Sequence, residues 1–300
     1  MSRFACLLVL LTIAGCSKPA PEVTVEEVAY EIKYREWLDS ETVAVKVEDS
    51  STITNTFTIN GMKEEVPETI GSTYEYNDVT LKREPGQRPV KARRIYKKAE
   101  RRDNGVPSEV VFANNTVLIE KVNDRYVFRI EGGNEITGED LRHFAETYNQ
   151  SLPANRQELF PDQPVKLHEV WTVPKETALR SFQPPEGITI DPDSIMTTGR
   201  LVRVYPKGKA MFGVIELNTE VKYTGANDVF GSAGSKLQPG GSSVIDMTLD
   251  ICIDGTVSDW KMTGTNRLRL VIVPPPGDDS PSQIEMKIDG KTSVQERNHE

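Results

Sequence analysis

Three histidines, three cysteines and scattered acidic pairs are the residues here with the chemistry to ligate a metal or attack an electrophile. Their spacing does not gather them. His143, His168 and His299 stand apart, with no His-Glu-x-x-His, His-x-His or cysteine pair, so the sequence offers no zinc ligand set. "DPDS" (191–194) and "GDDS" (277–280) lack the regular acidic spacing of a calcium loop and read as turns. No Gly-x-Ser-x-Gly elbow, phosphate loop or dinucleotide fingerprint occurs. Adjacent acids such as Glu64-Glu65 point to opposite faces of a strand, which makes a poor catalytic dyad. These absences predict a non-catalytic protein without cofactor or metal, with a hydrolytic enzyme as the weaker alternative.

Cys252 is the one thiol beyond the first sixteen residues, so no disulfide can form within that part of the chain. In "VIDMTLDICIDG", Ile245, Met247, Leu249, Ile251 and Ile253 share one parity. Cys252 falls on the other, with Asp246, Thr248 and Asp250. That alternation is a half-buried strand with a structural thiol on its more polar face.

Net charge is −9 with a pI near 5.1, a poor basis for binding nucleic acid. "RPVKARRIYKKAERR" (88–102) runs against that balance, with eight basic residues in fifteen. Neither parity of it is purely apolar, so it reads as a long edge strand whose charges block unwanted pairing. The functional alternative is a patch of Arg93, Arg94, Lys97 and Lys98 that meets anionic lipid head groups or an acidic partner.

The elements that must position these residues are mostly strands. Alternation marks 28–38, 41–47, 51–62 and 72–83, with a hairpin turn at Asn60-Gly61. Residues 88–132 read as two or more hairpins turning at 103–105 and 123–124. Further strands are expected over 199–225, turning at 206–208, and over 242–274, turning near 254–255. A last hairpin is expected over 282–297, turning at Asp289-Gly290. One main helix starts at Thr137, with Leu141, Phe144, Ala145 and Tyr148 at i, i+3, i+4 and i+7. A short second helix is expected at 175–182. Leu141, Phe144 and Tyr148 then either face a ligand or close a solid core.

The expected fold is mainly β, a β-rich α+β chain of curved antiparallel sheets or open half-barrels packed on the helix at about 137–150. Residues 26–165 form an N-terminal sheet plus helix, and 166–300 a C-terminal sheet packed with it. The architecture resembles the half-barrels of periplasmic lipoprotein carriers and lipid-binding bacterial lipoproteins.

The N-terminus gives an address. Residues 4–15, FACLLVLLTIAG, follow a single Arg3 and are too short to span a bilayer, which takes about 20 apolar residues. A charged start, an apolar core and a small-residue exit describe a secretory signal. Ile13-Ala14-Gly15-Cys16 resembles the bacterial lipobox. That resemblance implies a signal peptide at 1–15, lipid on the Cys16 sulfur and a mature chain starting at Cys16, with 16–25 as a Pro-containing tether. Two or three acyl chains on Cys16 anchor the protein to a membrane far more firmly than one. Ser17, where Asp would favour inner-membrane retention in enteric bacteria, implies the outer membrane, facing the periplasm.

"FPDQPVKLHEVWTVP" (160–174) resembles a segment of uncharacterised bacterial lipoproteins with the pattern Pro-x-x-Pro-Val-Lys-x-Gly-Asp-x-Trp. Pro161, Pro164, Val165, Lys166 and Trp171 match, while His168 replaces the Gly and Glu169 the Asp. Read from its residues, the stretch is an extended crossover fixed by prolines, with Trp171 burying apolar area. The expected function is membrane-anchored and non-catalytic, binding a hydrophobic ligand or protein partner within a curved sheet. A solid-core envelope interaction protein is the alternative.

Overall fold

The computed structural model describes residues 28–35, 41–59, 61–83, 89–123, 125–138, 140–141, 144, 148, 156–182, 184, 188–226, 235–275 and 281–298. Among the described residues the chain is mainly β, 68% strand. Its strands are β1 (Ala29–Tyr30), β2 (Thr42–Ile59), β3 (Met62–Arg83), β4 (Pro89–Asp103), β5 (Val106–Glu109), β6 (Thr116–Val122), β7 (Arg125–Ile130) and β8 (Val165–Lys166). They continue as β9 (Val170–Thr172), β10 (Ile188–Ile190), β11 (Met196–Lys207), β12 (Ala210–Ala226), β13 (Lys236–Leu237), β14 (Ser242–Cys252), β15 (Trp260–Val273) and β16 (Gln283–Asn298). The helix α1 is Lys175–Ser181.

Fourteen of these strands form one large curved antiparallel sheet that does not close. It consists of two meanders back to back. The first runs β2-β3-β4-β6-β7 and the second β16-β15-β14-β12-β11-β9. They join where β16 pairs with β2 along sixteen consecutive residues, from Gln283 opposite Thr58 to Asn298 opposite Val43. β3 has 22 residues, about 70 Å of extended chain at roughly 3.3 Å per residue.

Alternation sorts the two faces. On β12, Ile215, Leu217, Thr219, Val221 and Tyr223 are buried, while Glu216, Asn218, Glu220 and Lys222 between them are not. The register aligns the buried positions into rows, such as Leu201, Ile215, Leu249, Met262, Val294, Val47, Tyr74 and Ala99. Packed segments cover this face. Ile32, Phe160, Val165, Trp171 and Val173 pack on one end of the second meander. Ala178 and Phe182 pack on its other end with Ile188 and Ile195. Val110, Phe112, Ile136, Phe144 and Tyr148 cover the first meander.

The 137–150 helix is seen at Asp140, Leu141, Phe144 and Tyr148, with Gly138 at its start in a left-handed φ of 67°. The turns fall where expected at Gly61, 104–105 and 123. Asn104 and Asn123 take positive φ of 49° and 50° there, and Gly105 takes 80°.

Three expectations are corrected. β4 is not an edge: it lies between β3 and β6 and also pairs with β5. Its mixed parity comes from a bulge, because Glu75 pairs with Lys98 but Tyr76 pairs with Tyr96. Lys97 is the extra residue, so Ala92, Arg94 and Tyr96 face inward before it and Ala99 after it. Asp289-Gly290 is not a turn: β16 runs straight through, with Gly290 opposite both Ser51 and Asn266. Two flanking strands satisfy its backbone, which outweighs the local Asp-Gly turn preference. The strand expected over 28–38 is reduced to β1 and a bridge at Lys33, where Lys33 N–H donates to the Ile253 carbonyl (2.8 Å). This segment sends Ile32 into the core as cover.

β3 also continues through Pro67, a residue with no N–H to give a ladder. β4 ends opposite Ile70, so residues 62–68 pair on one side only, with β2. Thr69 turns its backbone groups away from β2: its carbonyl accepts from Asn104 N–H (2.7 Å) and its N–H donates to Asn104 Oδ1 (2.9 Å). Alternate residues share that direction, so Pro67 lacks a donor on the unpaired side and loses no ladder bond. With Lys63, Glu65 and Glu68 it blunts the edge.

His168 keeps the turn that the Gly of the lipoprotein pattern implies. It adopts a left-handed φ of 64°, its N–H donates to the Leu201 carbonyl (2.7 Å), and Glu169 Oε2 accepts from Lys166 N–H (2.9 Å). The turn delivers Trp171 over Gly199, with the indole Nε1–H donating to the Leu159 carbonyl (3.0 Å). A Cβ on Gly199 would lie 2.6 Å from that indole nitrogen.

Gly199→Ala is therefore expected to destabilise the fold by about 1–3 kcal/mol through overpacking, read from the denaturant midpoint by Trp fluorescence. His168→Gly is expected to act the opposite way, by about 0.5–1 kcal/mol. Relief of the left-handed conformation outweighs the extra freedom of Gly in the unfolded chain. An unchanged or lowered midpoint for His168→Gly would show that no strain is held there.

Candidate functional site

The covering segments stop short of the outer end of the β2–β3 hairpin. The two-residue turn at 60–61 sets Ile59 opposite Met62, Asn55 opposite Val66 and Ser51 opposite Ile70. These positions share the packed face of the sheet with Ile53 and Phe57. The far side of the same hairpin carries Thr52, Thr54, Thr58, Lys63, Glu65 and Thr69. The packed side stays open here, with Met62 73% exposed, Val66 44%, Ile70 41% and Ile59 38%. Over roughly eight to ten residues per strand this is an apolar strip about 27–33 Å long. Among the described residues, a face that is buried or half-buried elsewhere is uncovered at this end.

The strip opens inward onto a groove of about 930 Å³. Asp49, Ser51 and Ser72 line it, with Ile70 and Tyr74 from β3, Arg101 and Asp103 from β4, and Val106 from β5. Burial pushes the Asp49 carboxyl above its ordinary value, and hydroxyl donation from Thr292 and Ser72 holds it partly back. Arg101 is held by Asp140 (3.3 Å) and reaches the Tyr74 hydroxyl (3.5 Å). The groove is thus apolar toward the hairpin and polar toward the sheet centre.

The interior beside the groove is filled. Phe112 lies 4.7 Å from Tyr96 and 5.0 Å from Phe144, which stacks 4.8 Å from Phe128, and all three phenylalanines are fully buried. Phe144 and Tyr148 belong to this aromatic core, and Leu141 packs against it. Of the two readings of the helix stripe, the structure gives the core.

The basic run does not make one patch. Arg94 points inward and is buried, with Nε donating to Asp78 Oδ1 (2.8 Å) and Nη2 to Oδ2 (2.7 Å). Its guanidinium sits 4.0 Å over the Tyr76 ring. Burial opposes the Arg94 charge, and the pairing with Asp78 leads the groups that outweigh it, so it stays well above its usual value. Burial likewise pushes the Tyr96 hydroxyl up to about 12. Arg93 pairs with Glu131 (2.6 Å) and Lys98 with Glu100 (3.8 Å), while Lys97 is exposed at the bulge. Removing Arg94 from the set corrects the proposed anionic-partner patch.

A second ion-paired arginine, half-buried, was not read from sequence. Arg156 lies 3.9 Å over the Trp260 ring, donates to the Tyr34 hydroxyl (2.5 Å) and pairs with Glu296 (3.3 Å). Glu296 also accepts from Trp260 Nε1. Cys252 is buried, its thiol donating to Asp254 Oδ1 (3.0 Å), and "DPDS" forms a turn in which Asp191 Oδ1 accepts from Asp193 N–H (3.0 Å). Cys16, His143, His299 and "GDDS" lie outside the described residues.

Comparison with known proteins shows no kinship. No family model and no curated protein matches the chain. Among solved structures it is similar to a lipovitellin studied for its lipid–protein interactions, at 8% identity and TM-score 0.36, covering 88% of this chain and 26% of that one. It is also similar to OmpF of Salmonella typhi in complex with daunomycin, at 8% identity and TM-score 0.26, covering 86% and 99%. An outer-membrane channel from Pseudomonas putida F1 gives 11% identity and TM-score 0.18, covering 87% and 98%. Scores this low fix no family, and the functional reading rests on the site.

The raised Asp49 carboxyl has a pH signature. A group whose folded value lies above its unfolded value contributes stability when protonated and loses it as pH rises through the folded value. Asp49→Asn is therefore expected to raise the unfolding midpoint at pH 7, with the gain shrinking as pH falls into the carboxylate range. Thermal unfolding at pH 7 and pH 4 checks this; equal gains at both would place the effect elsewhere.

Proposed function

We propose that this chain is a non-catalytic, membrane-anchored lipoprotein of the bacterial envelope that binds a hydrophobic molecule against the uncovered end of its sheet. The observation that carries the binding reading is the exposed strip of Ile59, Met62, Val66 and Ile70, continuous with a face that is buried or half-buried elsewhere among the described residues. The anchor rests on Ile13-Ala14-Gly15-Cys16, and Ser17 favours the outer membrane facing the periplasm. An open sheet with one accessible apolar end is also what a periplasmic carrier-like half-barrel would present. The filled aromatic core turns the reading away from an enclosed cavity and toward a groove. That same solidity favours the second reading, an interaction protein that offers the strip to another envelope protein.

Two measurements test the proposal. Labelled palmitate is expected to enter the wild-type protein in cells and not Cys16→Ser. Native mass spectrometry is expected to show an extra mass that organic extraction removes and that Val66→Asp with Ile70→Asp eliminates. Both side chains are exposed, so this variant is expected to fold. A clean apo mass for wild type would move the reading to the interaction protein.

A further inference from the structure

We propose that the amphiphile taken by the β2–β3 end of the sheet carries a positively charged head group. This rests on the apolar-site reading above and adds the chemistry of the ligand's polar end.

The register places carboxylates on the same face as the strip. Glu64 stands opposite Phe57, Glu68 opposite Ile53, and Asp103 opposite Ile70. Asp49 lies on the same face one row inward, opposite Ser72. Neighbouring strands stand about 5 Å apart and successive same-face residues about 7 Å apart, so Glu68 and Asp103 flank Ile70 at contact range. Glu64, Glu68 and Asp103 make no ion pair among the described residues.

The cations nearby do not neutralise them. Lys63, Lys287 and Lys291 stand opposite Thr58, Thr54 and Ser50, which places them on the other face. Arg101 is on the groove side but is held by Asp140. Glu64 and Glu68 therefore alternate with Met62, Val66 and Ile70 along β3, and Asp103 stands beside Ile70, so the apolar strip carries a negative rim along its β3 side. An anionic head would be repelled there, a neutral head would gain only the strip, and a cationic head would gain both. The rim is partly exposed, so its effect is modest and falls with salt.

The test is calorimetric titration of the full 300-residue chain, produced without lipidation, below the micelle concentration of each probe. The probes are decyltrimethylammonium, decyl maltoside and decyl sulfate, with circular dichroism confirming that the fold survives each. Decyltrimethylammonium is expected to bind about five- to tenfold tighter than decyl maltoside, as two partly exposed ionic contacts would give, and decyl sulfate weakest. In Glu68→Gln with Asp103→Asn that preference is expected to collapse while decyl maltoside binding is retained. Equal binding of all three, tighter decyl sulfate, or a preference that survives the double variant would overturn the head-group assignment and leave the apolar site standing. Failure of every probe to bind would overturn both.

Discussion

The pairing of β2 with β16 is the constraint on which the rest of the molecule depends. Each meander has its own packed cover, but the seam makes them one sheet. Its sixteen consecutive pairs contain no bulge, so parity passes across it without a slip. A shift of one residue would turn every side chain of one meander to the wrong face. Because the register holds, Trp260, Glu296, Val45, Tyr76 and Tyr96 form a single row, and covers from distant parts of the chain meet along one face.

An ion-paired arginine sits on either side of that seam, Arg94 buried and Arg156 half-buried. Arg156 brings its segment down onto Trp260 and Glu296, and Arg94 holds Asp78 beneath the aromatic cover of the first meander. A charge removed from water is costly unless its partners are in place. Arg94 therefore penalises arrangements in which its cover sits elsewhere, a restriction that apolar contacts alone do not impose, and Arg156, partly open to water, does so more weakly. The same face then runs out of cover beyond Ile70, and its apolar pattern continues to the hairpin turn at 60–61.

Much of this architecture was legible in the residues. Alternation in "VIDMTLDICIDG" gave both the strand and the buried side, and Asn-Gly and Asp-Asn-Gly gave the hairpins at 60–61 and 103–105. The stripe of Leu141, Phe144 and Tyr148 gave the helix that packs on the sheet. What failed were inferences from local chemistry about pairing. Asp289-Gly290 has the composition of a turn, yet two neighbouring strands outweigh that preference. The basic run looked like an edge because a bulge at Lys97 swaps its parity midway, and no single-strand pattern reveals a bulge. The candidate site was half legible: a two-residue turn at 60–61 forces Ile59, Val66 and Ile70 onto one side. That the side is uncovered depends on where segments more than a hundred residues away come to rest.

The seam also sets the order in which this molecule can be built. β2 is made more than two hundred residues before β16, so the contact that joins the sheet is among the most non-local in the described residues. Each meander can form from hairpins as it leaves the ribosome, but β2 must wait with one edge unsatisfied until β16 arrives. Closing so distant a contact is entropically slow, and an open strand edge is what makes partly folded β proteins associate wrongly. Polar Thr and Ser positions and charged residues dominate the solvent face of β2, with Lys46, Glu48, Ser50, Thr52 and Thr54 in succession. A strand left waiting with that surface stays soluble longer than an apolar one would.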